Sequence, residues 1–200
     1  MKFVLATFNR DKVRELEALF DLPGLELVTL ADRPGAAAPA ETGATIEANA
    51  RLKARAALAQ TGLAAIADDT GLEVDALDGR PGVHSARYAG PNAGYADNVS
   101  KLLAELEGVP PARRGARFRT VCAVCWPDGV EMTAEGVLEG RIALAPRGEG
   151  GFGYDPVFEV EGGPRTLAEL DAAEKNARSH RGRAVRLLEC LLPLHDPGSV

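Results

Sequence analysis

Adjacent carboxylates at Asp68-Asp69 are the first residues whose type and spacing bear on chemistry. Two like charges side by side repel, so a fold retains them where a cation or solvent relieves the repulsion. They follow an apolar run at residues 63–67 that reads as a strand, and so stand at its C-terminal end, where open α/β sheets place their sites. Glu41, near the end of a Pro/Gly/Ala-rich loop at residues 31–44, adds a hard oxygen donor that would complete a site for Mg²⁺. The competing reading makes one aspartate the cap of a turn before Leu72. A haloacid-dehalogenase-type site is excluded, because it requires an Asp-x-Asp pair and the chain has none.

Thr7-Phe8-Asn9-Arg10-Asp11-Lys12 lies between a strand and a helix, a junction that presents unpaired backbone N–H groups and the positive end of a helix dipole. Thr7 and Asn9 add short donors and Lys12 a point charge, which together suit phosphate; N-capping by Asn9 beside a solvated lysine is the equal alternative. Asn49 and Lys53, four apart on an Ala-rich helix, share a face. An inward amide and amine are costly there unless they meet something polar, whereas a solvated face shared with Arg51 and Arg55 costs nothing.

Gly148-Glu149-Gly150-Gly151-Phe152-Gly153 matches G-x-G-x-x-G in form, but Tyr154-Asp155-Pro156 leads into a strand and not a helix. That context removes a dinucleotide-binding turn. Phe152 between glycines is either a stacking platform for a base, with Asp155 reading its edge, or a buried aromatic in a hairpin loop. Lys175 and Ser179-His180-Arg181 open the last helix in this reading. Cations there oppose the helix dipole, so an anion, an electron-rich ligand edge or solvent must compensate.

The elements that must hold these groups alternate. Residues 2–6 read as a strand, followed by a helix to Phe20 with Val13, Leu16 and Phe20 on one stripe. A strand at 25–30 precedes a helix at 45–60, with Thr45 as N-cap and Gly62 closing it. After a further helix at 97–107, strands at 117–126 and 130–138 flank Pro127-Asp128-Gly129, a hairpin turn. A short strand at 156–160 and the capping-box spacing of Thr166 and Glu169 lead to a helix at 176–192 that should bury Ala184, Leu187, Leu188 and Leu191. The pattern predicts one α/β domain over residues 1–200: a mixed sheet with helices packed on it, in two lobes with a central cleft.

Composition narrows the class. Of the 200 residues, 46% are hydrophobic and 26% charged, the balance of a globular chain, which excludes a disordered one. No apolar run approaches the ~18–20 residues of a membrane span, and no signal-peptide pattern is seen, so the cytoplasm is the expected location. A net charge of −6 gives no global attraction for nucleic acid or an acidic membrane. A polyanionic substrate must therefore be held by a few placed cations or a metal ion. Cys122, Cys125 and Cys190 make an odd count, and the C-x-x-C pair falls on a strand, where positions three apart point to opposite faces. They read as core residues.

Taken in order, Thr7 to Lys12, Glu41-Thr42-Gly43-Ala44-Thr45, Asn49 with Lys53, Ala67-Asp68-Asp69-Thr70-Gly71-Leu72, Gly82-Val83-His84-Ser85-Ala86-Arg87-Tyr88, Gly151-Phe152-Gly153-Tyr154-Asp155-Pro156 and Ser179-His180-Arg181 closely resemble the Ham1/RdgB family, the dITP/XTP or inosine triphosphate pyrophosphatases. The resemblance spans residues 2–192. It implies a long twisted mixed sheet, a homodimer, and Mg²⁺-dependent hydrolysis of the deaminated purine nucleotides ITP, dITP and XTP to monophosphate plus pyrophosphate, which cleanses the nucleotide pool. Carried over by motif, Thr7, Phe8, Asn9, Arg10, Asp11, Lys12 and Lys53 would hold the phosphates, and Glu41 and Asp69 the metal. Asp69 would accept the proton, with Thr70 beside the substrate. Phe152, Gly153, Tyr154, Asp155, Lys175, His180 and Arg181 would form the base pocket. Two positions depart from the family pattern: Ala48 stands where Glu is common, and Phe8 where Gly is common. Two other functions are consistent with parts of the pattern, a Maf-like nucleotide pyrophosphatase and a nucleotide-binding sensor without catalysis. Ser179-His180-Arg181 argues against the first, and retention of Glu41 and Asp69 against the second.

Overall fold

A computed structural model describes residues 1–195. Strand β1 (Lys2–Leu5) buries three successive apolar residues. Helix α1 (Arg10–Leu19) begins where Asn9 Oδ1 accepts from the N–H groups of Asp11 at 2.9 Å and Lys12 at 3.3 Å. Val13 and Leu16 form its buried stripe. After β2 (Glu26–Thr29), helix α2 (Ile46–Thr61) has the ends its sequence predicts. Thr45 Oγ1 accepts from the Ala48 N–H at 3.0 Å, and Gly62 at φ 67° takes the left-handed conformation that stops the helix.

The next element differs from expectation. Strand β3 (Ala65–Val74) does not end before Asp68 but continues through Asp68, Asp69, Thr70 and Gly71. The carboxylates therefore lie within a largely buried strand. That is tolerable because cations from distant segments meet them, which no local pattern discloses. Then follow β4 (Pro81–Gly82), α3 (Tyr95–Glu105), β5 (Gly115–Cys125) and β6 (Glu131–Ile142). The turn between β5 and β6 is the predicted one: the Gly129 N–H meets the Trp126 carbonyl at 3.0 Å. Chain order closes with β7 (Phe158–Val160), α4 (Ala172–Arg178) and α5 (His180–Leu191).

The predicted single last helix is thus two. Ser179 between them is extended, at φ −63° and ψ 155°, and its N–H caps the Lys175 carbonyl at 2.8 Å. On α5 Arg181, Ala184, Val185 and Leu188 are buried, as predicted for Ala184 and Leu188, whereas Leu187 is 47% exposed and not buried as its sequence suggested. Lys175 consequently sits in the last turn of α4, where a cation favours the dipole.

The fold is mixed α/β. Its strands form one seven-stranded sheet in the order β2-β1-β3-β5-β6-β7, with β4 beside β3. β1 runs parallel to β2 and β3, whereas β4 and β7 pair antiparallel with β3 and β6. The chain divides into two compact units, each assembled from separate segments: residues 1–69, 120–136 and from 181 onward in the first, 70–119 and 137–180 in the second. Each has its own core. Phe3, Leu5, Leu16, Ile66, Val124 and Leu188 pack in the first, and Leu72, Leu102, Phe118, Leu138, Phe158 and Leu167 in the second. Cys122 and Cys125 are buried and unbridged, with burial pushing both thiols up to about 12. In the first unit, Arg51 and Arg55 on α2 clasp Glu131 on β6 at 2.5–2.9 Å, fixing the helix that carries Lys53.

Candidate active site

In the first unit, alternate strand faces separate the two aspartates. Asp68 is fully buried and meets Lys12 Nζ at 3.0 Å and the Arg181 guanidinium at 3.1 and 3.2 Å. Arg181 also donates to Glu15. Burial alone would raise the Asp68 carboxyl, but Lys12, Arg181 and Lys53 more than offset it and hold it well below the usual carboxylate range. Asp69 instead accepts from Lys53 Nζ at 2.7 Å, and Glu41 approaches the same ammonium at 3.4 Å. Burial lifts the Asp69 carboxyl above its ordinary value, against the opposing pull of Lys53 and Lys12. Burial also depresses Lys12, whereas at Lys53 its effect is outweighed by Asp69, Asp68 and Glu41, and that ammonium is held up.

Glu41 owes its position to α2. Asn49, fully buried one turn before Lys53, accepts from the Gly43 N–H at 2.8 Å and so ties the Glu41 loop to the helix. A side chain at Gly43 would come within 2.6 Å of that Asn49 oxygen, so only glycine fits the approach. The inward amide of Asn49 thus meets something polar through its oxygen, while its Nδ2 has no hydrogen-bond partner among the described residues.

The second unit holds another set. Asp155, 4% exposed, accepts from the Phe152 N–H at 2.8 Å and from Lys175 Nζ at 2.6 Å. Lys175 Nζ lies 5.1 Å from the centre of the Phe152 ring, and the Tyr95 ring centre lies 5.8 Å from it. Gly151, at φ 70°, must be glycine: a Cβ would stand 2.0 Å from Asp155 Oδ2. Its neighbour Gly153 is also left-handed, at φ 64°. Tyr154 turns inward, 5% exposed, and its hydroxyl donates to the Ser85 carbonyl at 2.9 Å. His180 is buried and stacks on Phe118, with ring centres 4.5 Å apart.

Of the residues singled out by sequence, the first unit gathers Lys12, Glu41, Lys53, Asp69 and Arg181, and the second Phe152, Asp155 and Lys175. Thr7 accepts from the Asn9 N–H and Asn9 caps α1, so this motif shapes a helix N-terminus. Arg10 pairs with Asp32 and Asp11 with Arg14, outside the Lys12 cluster. Phe8 is 40% exposed, and Thr70 follows Asp69 on β3. Arg181, expected at the base, stands with Asp68 and Glu15 in the first unit, while Asp155 and Lys175 belong to the second. Sequence reasoning passed over Glu15, although its place three residues after Lys12 on α1 puts both on one face. It also gave no role to Asp68 as counter-ion or to Gly43.

A lysine between two carboxylates, beside a second buried lysine, can hold phosphate oxygens while a carboxylate takes a proton. Glu41 and Asp69 offer only hard oxygen donors, and among the described residues no group of three or more His, Cys, Asp or Glu could hold a metal. That donor set fits Mg²⁺, which takes one or two carboxylates and fills its shell with water and substrate phosphate. Fold and site together give the class: a mixed α/β protein whose first unit sets lysines against buried carboxylates.

Comparison with known proteins narrows it. The Ham1 family model matches residues 3–190. The dITP/XTP pyrophosphatase of Geobacillus kaustophilus is 52% identical over 94% of this chain and 92% of its own, and that of Mycobacteroides abscessus 48% over 97% and 94%. Among solved structures, a HAM1 protein from Coxiella burnetii superposes with a TM-score of 0.88 at 42% identity, covering 98% of this chain and all of that one. The chain belongs to the Ham1 family.

Proposed function

We propose that this chain hydrolyses deaminated purine nucleoside triphosphates, dITP, ITP and XTP, to the monophosphate and pyrophosphate. The observation that carries the reading is Lys53 held between Asp69 and Glu41, with Lys12 in the same unit. In this reading Lys12, Lys53 and the α1 N-terminus with Thr7 and Asn9 bind the triphosphate. Glu41 and Asp69 would hold Mg²⁺, and the ion would supply charge neutralisation and polarisation at the phosphates. Asp69 takes the proton from the water that attacks the α-phosphate, as a carboxylate positioned by Lys53 can do. Phe152 stacks on the purine, Lys175 donates to O6, and Asp155 holds Lys175 in place. His180 backs the pocket. Arg181 is assigned to holding Asp68, since Asp68 and Glu15 already engage its guanidinium. A single nucleotide pyrophosphatase domain over residues 1–200, a homodimer and a cytoplasmic location belong to the same reading; among the described residues no helix is long and apolar enough to cross a membrane.

Product analysis tests it. With dITP and Mg²⁺, free phosphate should appear only after an inorganic pyrophosphatase is added. Phosphate without that enzyme would mean cleavage at the γ-position, and no product at all would leave a binding protein. Within the same assay, Asp69→Asn should lower kcat by at least ~10²-fold, the usual order for a positioned base. Near-normal turnover would remove Asp69 from catalysis.

A further inference from the structure

The run Gly82–Tyr88 has no part in the chemistry above, yet its central residue links two functional segments. Ser85 is 7% exposed. Its hydroxyl accepts from the Leu72 N–H at 2.8 Å and donates to the Gly82 carbonyl at 2.6 Å. Leu72 and Gly82 are facing residues in the β3–β4 ladder, so the hydroxyl bridges the two strands. Leu72 lies three residues beyond Asp69 on β3. On its other side, the Ser85 carbonyl receives the buried hydroxyl of Tyr154, in the loop that carries Phe152 and Asp155.

The Ser85 turn is itself held firmly. Asn98, 3% exposed, donates to the Ala86 carbonyl at 3.1 Å and accepts from the Ala89 N–H at 2.8 Å. Bonds in such a dry setting cost about 1–3 kcal/mol when one partner is removed and the other stays buried. The path from β3 through Ser85 to Tyr154 is therefore stiff, and a loop tied to it keeps its register against the strand.

We infer that Ser85 is a positioning residue for base selection, a strut that sets the Phe152–Asp155 loop relative to β3 through the Tyr154 hydroxyl. The inference rests on the proposal that this loop and Lys175 receive the purine. Ser85 is engaged by Leu72, Gly82 and Tyr154, so its loss acts through them on how well the correct base is seated and not on the proton transfer at Asp69.

Steady-state kinetics on dITP and dATP with wild type, Ser85→Ala, Ser85→Thr, Tyr154→Phe and the Ser85→Ala/Tyr154→Phe double variant provide the test. Ser85→Ala and Tyr154→Phe should each raise KM for dITP about tenfold, leave kcat within about threefold, and lower the dITP/dATP ratio of kcat/KM about tenfold. Ser85→Thr, which keeps the hydroxyl, should retain the ratio. The double variant should lose little more than the worse single one, because both break the same strut. An unchanged ratio in Ser85→Ala and Tyr154→Phe, with only the melting temperature lowered, would overturn the inference, as would fully additive losses. If Ser85→Ala does not fold, Tyr154→Phe decides alone, since it leaves Ser85 intact. Failure of the wild type to cleave dITP would overturn the function proposed above and not the strut.

Discussion

dITP should be hydrolysed with a kcat/KM roughly 10⁴-fold above that for dATP, the order reached by sites that reject a substrate through mismatched buried hydrogen bonds. An apolar pocket of the same shape would manage only ~10². The expectation rests on Lys175, whose ammonium carries donors and no acceptor. Its side chain is 9% exposed and its Nζ is fixed 2.6 Å from Asp155. Facing the O6 of hypoxanthine or xanthine, that ammonium gains a second acceptor. Facing the 6-amino group of adenine, donor meets donor, and both lose their solvation without return. Comparable kcat/KM values for the two nucleotides in Mg²⁺ would show that Lys175 does not read the base.

Asp68→Asn should cost about 3–5 kcal/mol of stability, the usual result of removing one partner from a buried ion cluster. Its neighbour Asp69 pairs with Lys53, but Asp68 is the counter-ion for both Lys12 and Arg181. Neutralising it takes the counter-ion from both cations, of which Arg181 keeps its contact with Glu15. pH dependence gives a second reading of the same bond. The folded carboxyl titrates below its ordinary 3.8, so the stability it contributes is fully present above that value and is lost as pH falls through the lower, folded pKa. Urea unfolding at neutral pH measures the loss, and the acid-side slope of stability should flatten in the variant. A cost under about 1 kcal/mol would show that Lys12 and Arg181 do not depend on Asp68.

Adjacent residues of one type thus divide the work: Asp69 should cost turnover when changed, Asp68 stability. Sequence disclosed both carboxylates, and the ordered motifs sufficed to indicate the family. Local physics was equally legible. The caps of α2 at Thr45 and Gly62 and the turn at Pro127-Asp128-Gly129 depend on neighbours a few residues away, and the structure has them where the sequence placed them. The tertiary structure alone decided how the charges are shared. β3 passes through Asp68-Asp69 because Lys12, Lys53 and Arg181 arrive from other elements, the last from 113 residues along the chain. A buried charge is stable only against a partner, and no local spacing specifies which distant residue that is. The same reason gives Arg181 and Lys175, six residues apart in sequence, different carboxylates: Ser179 breaks the helix between them, and Arg181 meets Asp68 while Lys175 meets Asp155.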